Sequence, residues 1–328
     1  MTSLQQTPYY NQRPLDLIVS SQKQSCSYQT HLYPYSLAMS LKQPMQFPMS
    51  SSSPYIVDHI RTMRQQEMTS YKLTKDYLQQ DSNDSTTSIK ITAADRETML
   101  TWAYGTVDGC NLDRHVAITA IAYLDRFLSN SSCRRAKSAL SSHHEYQLCF
   151  IACLVTSIKT RAGRNVGSKF ISTHLCHELY TKEEVAQAEI EILNGLEWKL
   201  NGPTAIDFVH AFLDLMPLQL EEEASELLVE AAEAQIETAL LNYAFTHQEP
   251  SSIAYSSILN AMQCLGYSSI HLIMWVQSIS FYAGLDAADP KNDIIRHRLI
   301  EIAPIDQAFP CASPNTLEVH SKQMPPAA

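Results

Sequence analysis

Glycine is scarce in this chain, eight residues in 328, and no Gly-x-Gly occurs anywhere. A dinucleotide-binding turn and a glycine-rich phosphate-covering loop both need that spacing, so no bound nucleotide or other cofactor is expected. Cationic excess is missing too: 24 Lys and Arg stand against 34 Asp and Glu, a net charge of -10. General nucleic-acid binding rests on neutralising phosphates and is not expected here, although an acidic chain can still meet a basic patch on another protein. Eight cysteines occur without a Cys-x-x-Cys pair, and Cys149 and Cys153 lie one helical turn apart in the most apolar segment. They read as buried thiols in a reducing compartment. The longest apolar stretch, residues 148–155, is far too short to span a bilayer. The opening MTSLQQTPYYNQRPLDLIVSS lacks the basic-then-apolar order of a secretory signal, so cytosol or nucleus is the expected location. No Ser or Cys sits in a nucleophile frame such as Gly-x-Ser-x-Gly, and the Asp and Glu residues show no paired arrangement. No catalytic residue is therefore assigned. His174 and His177 would share a helix face with Cys176 pointing away, and no second cluster completes a ligand set, so no metal site is expected.

What the chain does have is helical periodicity. Residues 1–53, rich in Ser, Gln, Pro and Tyr, form no regular apolar face and are expected to be disordered. Within residues 54–91, Ile56, Ile60, Met63 and Met68 recur among polar residues, predicting a surface helix over 55–77, then a linker at DSNDSTTS, 81–88. Thr92 and Asp95 make a capping pair that opens a helix with Met99, Trp102, Ala103 and Thr106 on one face. Residues 111–130 follow, with Ala117, Ala120, Ile121, Leu124 and Leu128 at helical spacing, and residues 131–144 read as an inserted surface loop carrying Arg134, Arg135 and Lys137, with His143 and His144 solvated. Residues 146–159, YQLCFIACLVTSIK, are apolar nearly all round, as suits a helix enclosed by others. A helix at 170–177 and one opened by the Thr181 and Glu184 capping box complete a domain spanning 92–201.

Residues 202–305 restart the pattern with the Thr204 and Asp207 capping pair, and Phe208, Phe212 and Leu215 face inward. Over 221–241, Leu220, Ala224, Leu227, Ala231 and Ala234 stand opposite an acidic row of Glu222, Glu226, Glu230, Glu233 and Glu237, which reads as a solvated face. Helices over 252–263, 270–282 and 294–302 close the second domain, and residues 306–328 form a flexible Pro-containing tail.

One carboxylate breaks the pattern. Glu189 shares the apolar stripe of its helix with Val185, Ile192 and Leu196, and an unpaired charge seldom stays on such a face. Lys159 extends the row Leu148, Ala152, Val155 at the far end of the preceding apolar helix. The two make either an ordinary salt bridge or a charged spot waiting for a binding protein.

TAIAYLDRFLSN, residues 119–130, followed in order by YQLCFIACLVTSIK, YTKEEVAQAEIEILNGLEWKLN and PTAIDF, resembles the cyclin box over roughly residues 54–304. ILNGLEWKLN and the start at Pro250 to Ala254 are similar to the D-type branch. The resemblance implies an all-α fold: two tandem cyclin-box-like five-helix domains, the second more divergent, with a preceding N-terminal helix packed outside the first and disordered tails. It also implies a regulatory subunit, not an enzyme, that binds and activates a cyclin-dependent serine/threonine protein kinase in the nucleus and cytoplasm and controls cell-cycle progression. Lys159 and Glu189 occupy the kinase-contacting positions. Substrate proteins would be reached through the kinase complex, without direct nucleic acid or membrane contact. The family's docking patch maps to Asp95, Met99 and Trp102; Asp95 replaces an apolar residue, and Met99 and Trp102 are either substrate-docking or core. No Arg-x-x-Leu lies in residues 1–53, no Leu-x-Cys-x-Glu is present, and Thr160-Arg161 stands where the family often has an acidic pair. The alternative is a cyclin-fold scaffold or transcription-associated regulator that does not activate a kinase.

Overall fold

The computed structural model describes residues 53–79, 91–164, 175, 179–217 and 220–305. The expected tails, the 81–88 linker, the 170–177 helix apart from Leu175, and the His174, Cys176, His177 group lie outside them. All regular structure among the described residues is helical.

The first half holds α2 (Ala93–Gly109), α3 (His115–Asn130), α4 (Arg134–Ser141), α5 (His143–Arg161) and α6 (Lys182–Gly195). Helix α5 is its axis: Tyr146 and every residue over 148–158 are buried, and α3, α4 and α6 pack around it. Fully burying a large apolar side chain is worth about 1.5–3 kcal/mol, so this segment anchors the half. The Cys149 and Cys153 thiols sit within it; burial pushes Cys149 up to about 12 and Cys153 well above its ordinary value. The capping boxes at Thr92–Asp95 and Thr181–Glu184 are both formed. Helix α4 replaces the loop expected at 131–144. Its fully buried residues are only small ones, Ala136 and Ala139, with Leu140 partly buried beside them, and Cys133 Sγ caps it by accepting from the Ala136 amide.

The second half holds α7 (Ala205–Leu213), α8 (Glu222–Leu241), a 3-10 turn (Tyr243–Phe245), α9 (Pro250–Cys264), α10 (Ser269–Ser278), a π turn (Ile279–Ala283) and α11 (Pro290–Ile302). Helix α9 is the axis here, enclosed by α7, α8 and α11. The Thr204–Asp207 box opens α7, and Phe208, Phe212 and Leu215 are buried as expected. The helix predicted over 270–282 ends in the π turn, stopped by Gly284 at φ 62°, a left-handed conformation that glycine adopts without Cβ strain. Helix α8 is rotated from its expected face. Its buried residues are Leu228, Ala231, Ala232, Gln235, Ile236 and Ala239, while Leu227 is exposed. Nor is its acidic row simply solvated: Glu233 meets His210 and Glu237 meets Arg114, each at 2.9 Å.

Preceding both halves, α1 (Ser53–Met68) stops nine residues short of the predicted end at Tyr77. The following segment is held off helical geometry by α3: Asn130 Oδ1 accepts from the Thr74 amide at 2.9 Å, and Ser129 Oγ from the Lys75 amide at 2.8 Å. Helix α1 buries Val57, Ile60, Met63 and Glu67, and Met68 is exposed. It lies against α7 and the π turn of the second half, rather than only outside the first as the resemblance implied. Arg64 donates to the Ala283 carbonyl, and the Glu67 carboxylate accepts from the Ser251 amide and hydroxyl.

Candidate functional site

The last turn of α5 brings three helices together. Lys159 Nζ lies 2.7 Å from both carboxylate oxygens of Glu189 on α6, and Thr156, one turn earlier, donates its hydroxyl to Oε1 at 3.2 Å. The two charges picked out from the sequence therefore converge. Their surroundings are unequal: the Glu189 side chain is 15% exposed and that of Lys159 is 42% exposed. Beneath them Val155, Ile158, Val185, Ala188 and Ile192 are buried and hold the two helices in register. A half-exposed pair of this kind adds little to folding, about 0–1 kcal/mol, because water competes for both ions. An ammonium carries three donors, so Lys159 retains capacity for a partner placed over this spot.

Two residues on, Arg161 makes a bidentate contact with Asp207 of α7, at 3.0 and 2.8 Å. Burial pushes the Asp207 carboxyl up, but the Arg161 guanidinium, His115 and the Thr204 amide outweigh it and hold the group below its ordinary value. His115 Nε2 lies 2.7 Å from the Thr204 hydroxyl, and burial lowers its pKa. The C-terminal end of α5 is thus tied to α6 on one side and to the second half on the other.

The docking positions fall elsewhere. Asp95 caps α2 and lies 3.2 Å from His143 Nδ1. Met99 is buried, and Trp102 is half-buried with its ring edge-on to Phe150 at 6.2 Å. His143 and His144 open α5 instead of lying in a loop, both exposed as expected, and His144 packs on the Tyr180 ring at 4.6 Å. Arg135 likewise belongs to no free basic cluster: it bridges Glu145 at 2.9 Å and Glu191 at 2.7 Å. Among the described residues, no group of three His, Cys, Asp or Glu side chains is placed to hold a metal ion.

Sequence reasoning missed a deeply buried ion pair. Within Leu124-Asp-Arg-Phe-Leu128, Asp125 receives Arg96 Nε at 3.0 Å and Nη2 at 2.8 Å, plus the Tyr77 hydroxyl at 2.5 Å. Arg96 and Asp125 are 1% and 6% exposed. Arg96 Nη1 also reaches the Leu240 carbonyl of α8 at 2.7 Å. The signal was available in principle, since Asp125 interrupts an apolar helix face just as Glu189 does.

Sequence models described as Cyclin, N-terminal domain and Cyclin, C-terminal domain match residues 58–201 and 203–295. The chain is 26% identical over 215 residues to the G2/mitotic-specific cyclin-A of Hydra viridissima, covering 65% of this chain and 47% of that protein. It is 25% identical over 174 residues to the human (Homo sapiens) G1/S-specific cyclin-D1, covering 53% and 55%. The chain spans about half the length of these curated relatives. Among solved structures, a viral cyclin from herpesvirus saimiri is similar with a TM-score of 0.57 at 16% identity, covering 77% of this chain and 98% of that one. That last likeness is one of fold.

Proposed function

The chain belongs to the cyclin family, and from that premise we propose that it is a regulatory subunit that binds and activates a cyclin-dependent serine/threonine protein kinase, doing no chemistry of its own. Protein kinases work only when an internal Lys and Glu are brought together and the activation loop is ordered, so a rigid partner that favours this arrangement acts as a switch. The observation that carries the reading is the Lys159–Glu189 pair, with its ammonium half-exposed at the junction of α5 and α6. Covered by a kinase, the pair would lose its water and offer charge-assisted hydrogen bonds to backbone groups of the partner. Met99 and Trp102 would serve substrate docking only by way of the half-buried indole, since Met99 is in the core. The complex would act in the nucleus and cytoplasm on cell-cycle substrates.

Pull-down of the purified chain with a panel of cyclin-dependent kinases, followed by a peptide phosphorylation assay, tests the reading. Expected are a stable complex and a rise in phosphorylation. Truncating one member of a pair desolvated in an interface costs about 2–5 kcal/mol, so Lys159→Ala should abolish capture while the far-ultraviolet circular dichroism stays unchanged. Capture without phosphorylation would identify a scaffold, and no capture at all would remove the kinase reading.

A further inference from the structure

Where the end of α1, the middle of α3 and the start of α9 meet, a cleft of about 400 Å³ lies between the halves. Helix α3 presents Thr119, Ala122 and Arg126 to it at one-turn spacing. Thr119 is 2% exposed, and its hydroxyl has no hydrogen-bond partner among the described residues. Across the cleft the hydroxyl of half-buried Thr246 also has no hydrogen-bond partner among the described residues. Buried polar groups are nearly always paired, with protein, water or ligand, so two such hydroxyls on residues lining one space mark its wall as suited to something polar.

Arg126 sharpens the chemistry. It is 6% exposed, donates Nη2 to the Lys199 carbonyl, and stacks on the Tyr71 ring at 4.6 Å. Gly202 makes this stacking feasible, because a Cβ there would meet Tyr71 Cδ1 at 2.4 Å. Yet no carboxylate forms an ion pair with Arg126 among the described residues, whereas Arg96, Arg114, Arg135 and Arg161 each have one. Burial correspondingly pushes the Arg126 pKa down. A guanidinium removed from water without a counter-ion is costly, and Arg126 is part of the cleft wall. Three carboxylates line the same space: Asp125 is committed to Arg96 and Tyr77, Glu67 to Ser251, and Glu249 lies at the start of α9 without an ion pair to Arg126.

We propose that this cleft binds a small organic anion whose carboxylate or phosphate head is the missing counter-ion of Arg126 and whose polar body reaches the Thr119 hydroxyl. Seven residues of helix separate the two, about 10 Å, which sets the length of the ligand. The cleft volume falls within the usual range for small-molecule sites, about 300–1,000 Å³. Because both halves and the segment after α1 line the cleft, an occupant would brace their relative placement, stabilising the folded chain by mass action. The site is remote in kind from the Lys159–Glu189 pair and stands whether or not a kinase binds.

Thermal unfolding and isothermal titration calorimetry of the full chain test this, with inorganic phosphate and the six-carbon dicarboxylate adipate as probes at constant ionic strength. At least one probe should raise the melting temperature saturably; phosphate alone would assign a phosphate head, and adipate alone a carboxylate. Arg126→Gln should weaken the active probe about tenfold or more, the worth of a charged hydrogen bond. Thr119→Val should weaken adipate and leave phosphate unchanged. Should Arg126→Gln fail to fold, Ala122→Phe, at an exposed position on the cleft wall, fills the space while keeping the guanidinium and should abolish binding. The assignment is overturned if neither probe gives a saturable shift, or if the shift survives Arg126→Gln or Ala122→Phe.

Discussion

Helices α5 and α9 hold the same place in the two halves, yet they are satisfied in different ways. Helix α5 is buried largely through apolar side chains and thiols, and its polar groups gather at its end, where Thr156 faces Glu189 and Ser157 donates to the Val116 carbonyl. Helix α9 buries Ser251, Ser252, Ser256, Ser257 and Asn260 along its length. These reach outward to neighbours: Ser257 to the Ala232 carbonyl, Ser256 to the Asn292 carbonyl, and Asn260 to Gln235. One axis is greased and the other is pinned. A buried polar network specifies one arrangement more sharply than apolar packing, and fails more sharply when a member is lost. The difference fits the roles proposed for the halves: α5 keeps its charged pair at an outward-facing end, and the second half locks the helix against which α1 is fastened.

The sharpest way to break this contrast is to damage the first half at its deeply buried Arg96–Asp125 ion pair. Asp125→Ala strands Arg96 and should cost about 3–5 kcal/mol in urea denaturation; a loss below about 1 kcal/mol would mean that the apolar packing around α5 carries the half unaided. The second half should be hurt less per site but at more sites. Ser251→Ala removes the hydroxyl that meets Glu67 and should cost about 1–3 kcal/mol by the same measurement.

The Glu67 carboxyl allows a finer comparison. Burial pushes its pKa up; the Ser251 hydroxyl and amide and then Arg64 pull it back without cancelling the rise. The folded chain therefore holds this proton more tightly than the unfolded chain, and stability should fall as pH rises from the ordinary value of 4.5 through the raised one. Glu67→Gln should remove that component, so the difference in unfolding free energy between variant and parent should change across the window and level off above it. Parallel curves would show that the carboxyl is not strained by burial. Least affected should be the stability of Lys159→Ala, a change of about 0–1 kcal/mol, despite the loss of kinase capture expected of it.

Local grammar carried much of this into the sequence. Thr92–Asp95, Thr181–Glu184 and Thr204–Asp207 each form the predicted capping box, because such a box is complete within four residues. The Lys159–Glu189 encounter was readable for a related reason: each charge sat on an otherwise apolar row, and adjacent helices were needed to bury those rows. What escaped had a weaker cue or none. Helix α4 is two turns long and has Leu140 as its one large apolar residue, too little to mark a face. Helix α8 carries glutamates on several sides and buries a glutamine, so its stripe could be drawn at the wrong angle. In the Arg96–Asp125 pair the carboxylate marked its apolar face, but Arg96 follows a capping pair and nothing in its own spacing singled it out as the partner. The docking of α1 depends on Ser251, 184 residues from Glu67.

The Arg96 guanidinium has a bearing on how the chain can be divided. Two of its nitrogens serve Asp125 in the first half and the third serves the Leu240 carbonyl in the second, while Tyr104 donates to the Glu237 carbonyl nearby. A fragment ending after the first half would keep the cation and its carboxylate but leave a donor and a phenol facing a void. The natural seam in the sequence at residue 202 is consequently a poor scissor line, and the halves are better regarded as one cooperative object than as interchangeable parts.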